Sequence, residues 1–316
     1  MSENEVIILD QFPPAEYNSL LNTCIRYAII SKPFTIRRVG NQSLDQAIMN
    51  IFKGKLAEAL FRYFCEKNDI PADFDACSTP FWQVDNRDFI LNGKEWDIKN
   101  NFIYHSGDVL TAYPYTNLPA LIPNRKPGDQ WDSRDEIKNP GLCRGTAYVF
   151  TFLKGASIEN GKRQNYFYNF RIAAEQMSMI EKLEKRYQGK SVSAQPFTEE
   201  QFWEEMEKRG SLDFIELNYR PSLIITAMAD QTHWHLFKNT GPGDPDNNFR
   251  QYLKPYWYRK SGRGSINFMN RTFWTTLTNA TCPVSVLPSF LSLFPQLRNN
   301  IQCGRVMNED LVSSRR

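Results

Sequence analysis

Asp88-Phe89-Ile90-Leu91-Asn92-Gly93-Lys94-Glu95-Trp96-Asp97-Ile98-Lys99 carries the clearest local signal in the chain. An apolar run, an Asn-Gly turn signal and a second run predict a β-hairpin. Strand alternation sends Asp97 and Lys99 to one face and Trp96 and Ile98 to the other. Asp88 opens the first strand and reaches the same end of the hairpin. Two carboxylates and an ammonium converging on one edge suit metal-dependent hydrolysis better than structural support. A hard cation such as Mg²⁺ takes oxygen ligands and keeps several waters, so one or two carboxylates plus a substrate phosphate hold it.

Outward from the hairpin, residues 44–68 predict one amphipathic helix. Ala47, Ile48, Ile51, Phe52, Leu56, Ala59, Leu60, Tyr63 and Phe64 recur at three- and four-residue intervals. Glu58 lies inside it, either facing the hairpin site or as a solvated helix residue. Asp85 rivals Asp88, because Trp82-Gln83-Val84-Asp85 can itself end a strand. The shorter separation of Asp88 from Asp97 suits a tight hairpin better. Glu95 shares the face of Asp97 and Lys99 but lies nearer the turn.

An acid followed by acid-x-Lys on the next strand resembles the PD-(D/E)XK nuclease superfamily, to which many restriction endonucleases belong. A preceding helix carrying Glu58 matches the same order, and the resemblance covers roughly residues 44–190. It implies a restriction-endonuclease-like core: a mixed α/β fold with a central mixed sheet flanked by helices. It also implies Mg²⁺, with Mn²⁺ as a substitute, held by Asp88, Asp97 and the main-chain carbonyl of Ile98. Lys99 would orient or deprotonate the attacking water, and Glu58 would face the metal site. The family pattern places Pro before the first acid, whereas here Arg87 precedes Asp88.

The rest of the chain sets bounds. Its 316 residues, 41% hydrophobic and 14% aromatic, belong to a globular protein with room for a large core. Six cysteines without C-x-x-C spacing read as scattered thiols of a reducing cytosol. The start of the chain shows neither a basic n-region nor an apolar h-region, so a cytoplasmic location is expected. No apolar run has the length of a membrane span. No G-x-x-x-x-G-K-[ST] loop occurs, which argues against nucleotide hydrolysis. His233-x-His235 would set two imidazoles on one face of a strand, weak grounds for a zinc site.

Charge is distributed unevenly. The net charge is only +3, yet from Asn247 to Asn308 there is no acid and there are eight basic residues. Arg250, Lys254, Arg259, Lys260 and Arg263 alternate with aromatics around Tyr256-Trp257-Tyr258. Cations for phosphates and rings for stacking suit a nucleic-acid surface, against the plainer reading of an aromatic core with solvated basic residues.

Three regions are expected: an N-terminal helical segment (1–43, helix from Pro14 to Ile30), a catalytic core (44–190) and a C-terminal extension or DNA-recognition region (191–316). Pro114 to Pro140 reads as a long polar loop. Gly145–Leu153, Asn165–Ile172, Leu223–Met228 and Trp234–Phe237 read as strands. Ala173–Tyr187 and Thr198–Arg209 read as helices. The function expected is a Mg²⁺-dependent endodeoxyribonuclease cutting double-stranded DNA, of the type II restriction kind and, by resemblance, a homodimer. The alternatives are a less specific defence or repair nuclease and a non-catalytic DNA-binding protein on a nuclease fold.

Overall fold

In the computed structural model, the described residues are 1–2, 5–9, 12–35, 43–83, 87–104, 115–123, 147–159, 162–165, 169–170, 172–211, 215–216, 222–240, 257–260, 263–268, 271–275, 279–302 and 305–306. Four helices are among them: α1 (Pro14–Ser31), α2 (Leu44–Lys67), α3 (Ala174–Tyr187) and α4 (Glu199–Glu207). The strands are β1 (Ile7–Leu9), β2 (Phe89–Leu91), β3 (Lys94–Tyr104), β4 (Pro119–Pro123), β5 (Ala147–Glu159), β6 (Lys162–Asn165), β7 (Asn169–Phe170), β8 (Ile215–Glu216) and β9 (Ser222–Ala229). They continue with β10 (Lys238–Thr240), β11 (Trp257–Lys260), β12 (Arg263–Phe268), β13 (Arg271–Thr275), β14 (Asn279–Pro283), β15 (Ile301–Gln302) and β16 (Arg305–Val306).

The fold is mixed α/β around a mixed sheet flanked by helices. Its strand order is β15-β16-β1-β9-β5-β3-β2, with β6 pairing the far part of β5. β3 runs parallel to β5, whereas β2–β3, β5–β9 and β1–β9 are antiparallel. Alternation along β5 builds two cores. Ala147, Val149 and Leu153 turn toward α1 and α2, while Tyr148, Phe150 and Phe152 turn to the opposite face. There they meet Ala120, Ile122, Ala280 and Cys282 of a second sheet, ordered β10-β14-β4. The first part of β5, residues 147–153, is largely apolar on both faces because both are covered.

α2 forms because its apolar positions repeat at helical spacing. Ala47, Ile48, Phe52, Leu56, Leu60, Tyr63 and Phe64 are all buried. The first turn carries Asp45 and the last Lys67, each matching the charge of that end of the helix. The helix stops at Asn68, after which Asp69 takes a positive φ of 52°. Phe61 stands at a junction of rings, 5.3 Å from Phe89 and 5.2 Å from Phe290. This contact seats α2 against the start of the hairpin.

Several expectations change. Pro119–Pro123, expected within a long loop, is strand β4 paired with β14; prolines at both ends hid an edge strand. Residues 124–146 lie outside the described residues. Trp234–Phe237 is not a strand, because Gln231–Leu236 forms a 3₁₀ helix with Asp230 as its N-cap. The Asp230 side chain accepts from the Thr232 N–H, a local bond that draws the chain out of extended structure. The expected strand over 165–172 is represented by β6 before it and β7 inside it. β9, from the region expected as a C-terminal extension, lies at the centre of the main sheet between β1 and β5. Among the described residues no helix is long and apolar enough to cross a membrane.

Candidate active site

The hairpin turns at Asn92 and Gly93, whose φ values of 52° and 72° are those of a type I′ turn. Its cross-strand pairs are Phe89–Trp96, Ile90–Glu95 and Leu91–Lys94. Phe89 and Trp96 stack at 5.8 Å on the helix-facing side. Beyond the last of these pairs, the Asp88 N–H donates to the Trp96 carbonyl (2.9 Å). The next contact is made by a side chain: the Ile98 N–H donates to Asp88 Oδ2 at 2.5 Å. In an extended strand a residue turns its N–H and C=O to the same edge. The Ile98 carbonyl therefore points toward Asp88, away from the ladder with β5.

Asp97 and Lys99 project from the other face of β3, alongside Tyr148 and Phe150 of β5. Lys99 Nζ lies 2.5 Å from Asp97 Oδ2 and 5.1 Å from the centre of the Tyr148 ring. The two side chains are only 11% and 9% exposed. Burying such a pair costs desolvation that their attraction recovers only in good geometry, so it is weakly justified by stability alone.

Glu58 comes from α2, one turn after Lys55, whose Nζ pairs with Glu58 Oε2 at 2.6 Å. Glu58 and Asp88 line one cleft of about 310 Å³, between α1, α2, Phe74–Thr79 and Arg87. Lys55, Arg62, Arg87 and Tyr27 share its wall. Cys24 also lines it, its thiol pushed up to about 12 by burial and by the Glu58 charge. Glu58 thus lines the same cleft as Asp88, paired with Lys55.

Asp88 is the electrostatic centre. The residue keeps some exposed surface, yet its carboxyl is enclosed. Burial, and then the charges of Glu58 and Asp97, push its pKa well above the usual carboxylate range. The Ile98 N–H and the Lys99 ammonium oppose that shift without cancelling it. Such crowding of negative charge is relieved by a cation. Carboxylate and carbonyl oxygens are the donors that a hard divalent cation takes. Among the described residues no three His, Cys, Asp or Glu form a group able to hold a metal ion by themselves. Asp88 and Asp97 are close enough for the Asp97 charge to raise the Asp88 pKa.

Asp85, Arg250, Lys254 and His105 lie outside the described residues. Glu95 is paired with Arg87 (3.2 Å), away from the carboxylate pair. Arg259 and Lys260 lie on β11 and Arg263 on β12, with Lys260 and Arg263 directly opposite across the turn. His233 does not share a strand face with His235; it lies in the 3₁₀ helix, 2.9 Å from Asp230 Oδ1. Sequence reasoning overlooked Lys55, Arg62 and Arg87. Only the Lys55–Glu58 helical spacing hinted at one of them. Comparison with known protein families, with curated proteins and with solved structures finds no match to this chain.

Proposed function

We propose that the protein is a Mg²⁺-dependent endodeoxyribonuclease of the type II restriction kind, with a restriction-endonuclease-like core. It hydrolyses phosphodiester bonds in double-stranded DNA and acts as a homodimer, so that two sites cut two strands. The observation that carries this reading is that Asp88, bonded to the Ile98 N–H at the edge of β3, shares a cleft with Glu58 while the buried Asp97–Lys99 pair lies on the same strand. Crowding of this sort destabilises the fold and is best explained by chemistry.

Asp88, Asp97 and the Ile98 carbonyl would hold a divalent cation, which would supply an acidified water and charge neutralisation at the phosphate. Lys99 orients that water, or stabilises the pentavalent phosphate as a point charge. Glu58 adds negative charge and an acceptor for bound water. The Ile98 N–H holds the Asp88 carboxylate in place, and the Tyr148 ring confines the Lys99 ammonium. The basic segment that includes Arg250, Lys254, Arg259, Lys260 and Arg263 grips the DNA backbone.

Incubation of the purified protein with phage and plasmid DNA, with Mg²⁺ or with EDTA, tests the proposal on a gel. Discrete Mg²⁺-dependent fragments are expected. A smear would favour a less specific defence or repair nuclease. Failure to cut any DNA or RNA would leave a non-catalytic DNA-binding protein on a nuclease fold.

A further inference from the structure

The cleft beside Asp88 is richer in cations than a two-carboxylate site needs. Lys55, Arg62 and Arg87 line it, against Glu58 and Asp88. Each cation is held by a carboxylate: Lys55 by Glu58 (2.6 Å), Arg62 by Glu66 (2.7 Å) and Asp75 (2.8 Å), and Arg87 by Glu95 (3.2 Å). The partners of the two arginines are more than half exposed, so these are solvent-screened pairs worth little. An arginine so placed exchanges a surface carboxylate for a phosphate at small cost, and its planar fork suits the phosphate better. The remaining wall supplies hydroxyls from Thr23, Ser78 and Thr79 and rings from Tyr27 and Phe74. At about 310 Å³ the cleft is at the small end of ligand sites and admits one nucleotide unit, not a duplex.

We infer that this cleft is the subsite for the phosphate next to the scissile one, on the strand being cut, with Arg62 and Arg87 as its ligands. The inference rests on the nuclease reading above. Both arginines act as positioning residues: they fix the backbone one step from Asp88, and Lys55 adds charge from the helix. The basic strands β11 and β12 then hold DNA elsewhere. The strand at the cut is gripped from α2 and from the entry to the hairpin.

The test uses a duplex carrying the mapped cut site and full-length Asp88→Asn protein, which binds without cutting. Adding Arg62→Ala and Arg87→Ala is expected to weaken binding about tenfold or more and to flatten the log K against log[salt] slope by about two. A neutral methylphosphonate at the phosphate next to the cut should weaken binding of the Asp88→Asn protein similarly. It should then add little to the arginine-depleted protein, the non-additivity expected of direct partners. In the active enzyme the arginine pair should raise KM with kcat nearly unchanged, and Arg→Lys at both positions should keep the salt slope. Unchanged affinity and slope, or fully additive losses, would overturn the subsite while leaving the nuclease intact. A wild-type protein that cuts no DNA would remove the nuclease reading, and this inference with it.

Discussion

The backbone N–H of Ile98 donates to the Asp88 carboxylate at 2.5 Å, ten residues back along the chain. A side chain here does what a strand carbonyl would do one pair earlier in the hairpin. The bond fixes an acid that would otherwise sit at a loop end, and it aims that acid at the edge of β3. Asp88 pairs with the backbone at a point where charge is unwelcome.

Substitution at Asp88 should therefore separate stability from activity. Asp88→Asn keeps an oxygen for the Ile98 N–H and removes a charge that burial, Glu58 and Asp97 all disfavour. The variant should melt at a higher temperature than wild type while losing Mg²⁺-dependent cutting by about a thousandfold. Calorimetry beside a cleavage assay checks this. A variant that is less stable and still active would contradict both halves.

Lys99 and Asp97 should behave as a pair. Lys99→Ala or Asp97→Ala should abolish the proposed cutting and leave DNA binding largely intact. Each also strands a buried charge, at a cost of about 3–5 kcal/mol. Combining the two alanine substitutions should cost clearly less than the sum of the single changes. Urea unfolding of the four proteins measures that coupling.

Acid should find the Lys94–Asp230 bridge. Its ends lie on β3 and just past β9, 2.8 Å apart. Burial works against the Asp230 charge, but hydrogen bonds from Lys94 and Thr232 outweigh it and hold the carboxyl well below its usual range. A lowered folded pKa gives stability that is present above the unfolded pKa of about 3.9 and is lost as pH falls below it. Lys94 is 43% exposed, so water screens the bridge and the contribution is about 0.5–1 kcal/mol. Stability of Lys94→Met should fall less steeply than wild type between about pH 4 and 2. Parallel unfolding curves would remove the bridge from the acid response.

Gly54 offers a stabilising change. It lies inside α2, and a Cβ built there meets nothing within 4 Å. Gly54→Ala should add about 0.8–1 kcal/mol by removing the glycine penalty in a helix interior. A rise in the urea midpoint at unchanged m-value is the readout.

The β11–β12 hairpin should report DNA binding independently of the cut. Arg259→Ala with Lys260→Ala should weaken binding and flatten its salt dependence by about two. An unchanged slope would return that segment to a structural role.

Much was legible because it is local. The Asn92-Gly93 turn and the alternation of Trp96, Asp97, Ile98 and Lys99 describe the hairpin before any contact is known. Apolar spacing from Leu44 to Lys67 likewise defines α2. One element was lost because a non-local partner decides it: Pro119–Pro123 is a strand because β14 runs beside it. Another was lost to a local cap that strand alternation does not reveal: Gln231–Leu236 coils because Asp230 caps it. By itself the sequence determined the turn, the strand alternation and the helical face, since these depend on a few neighbouring side chains and on backbone geometry. Long-range packing brings Glu58 and Asp88 into one cleft, sets Lys99 over the Tyr148 ring and puts Arg62 and Arg87 on the wall beside those acids. The cleft depends on how α2 docks on the sheet and the Lys99–Tyr148 contact on the pairing of β3 with β5, and both rest on burial shared among residues far apart in the chain.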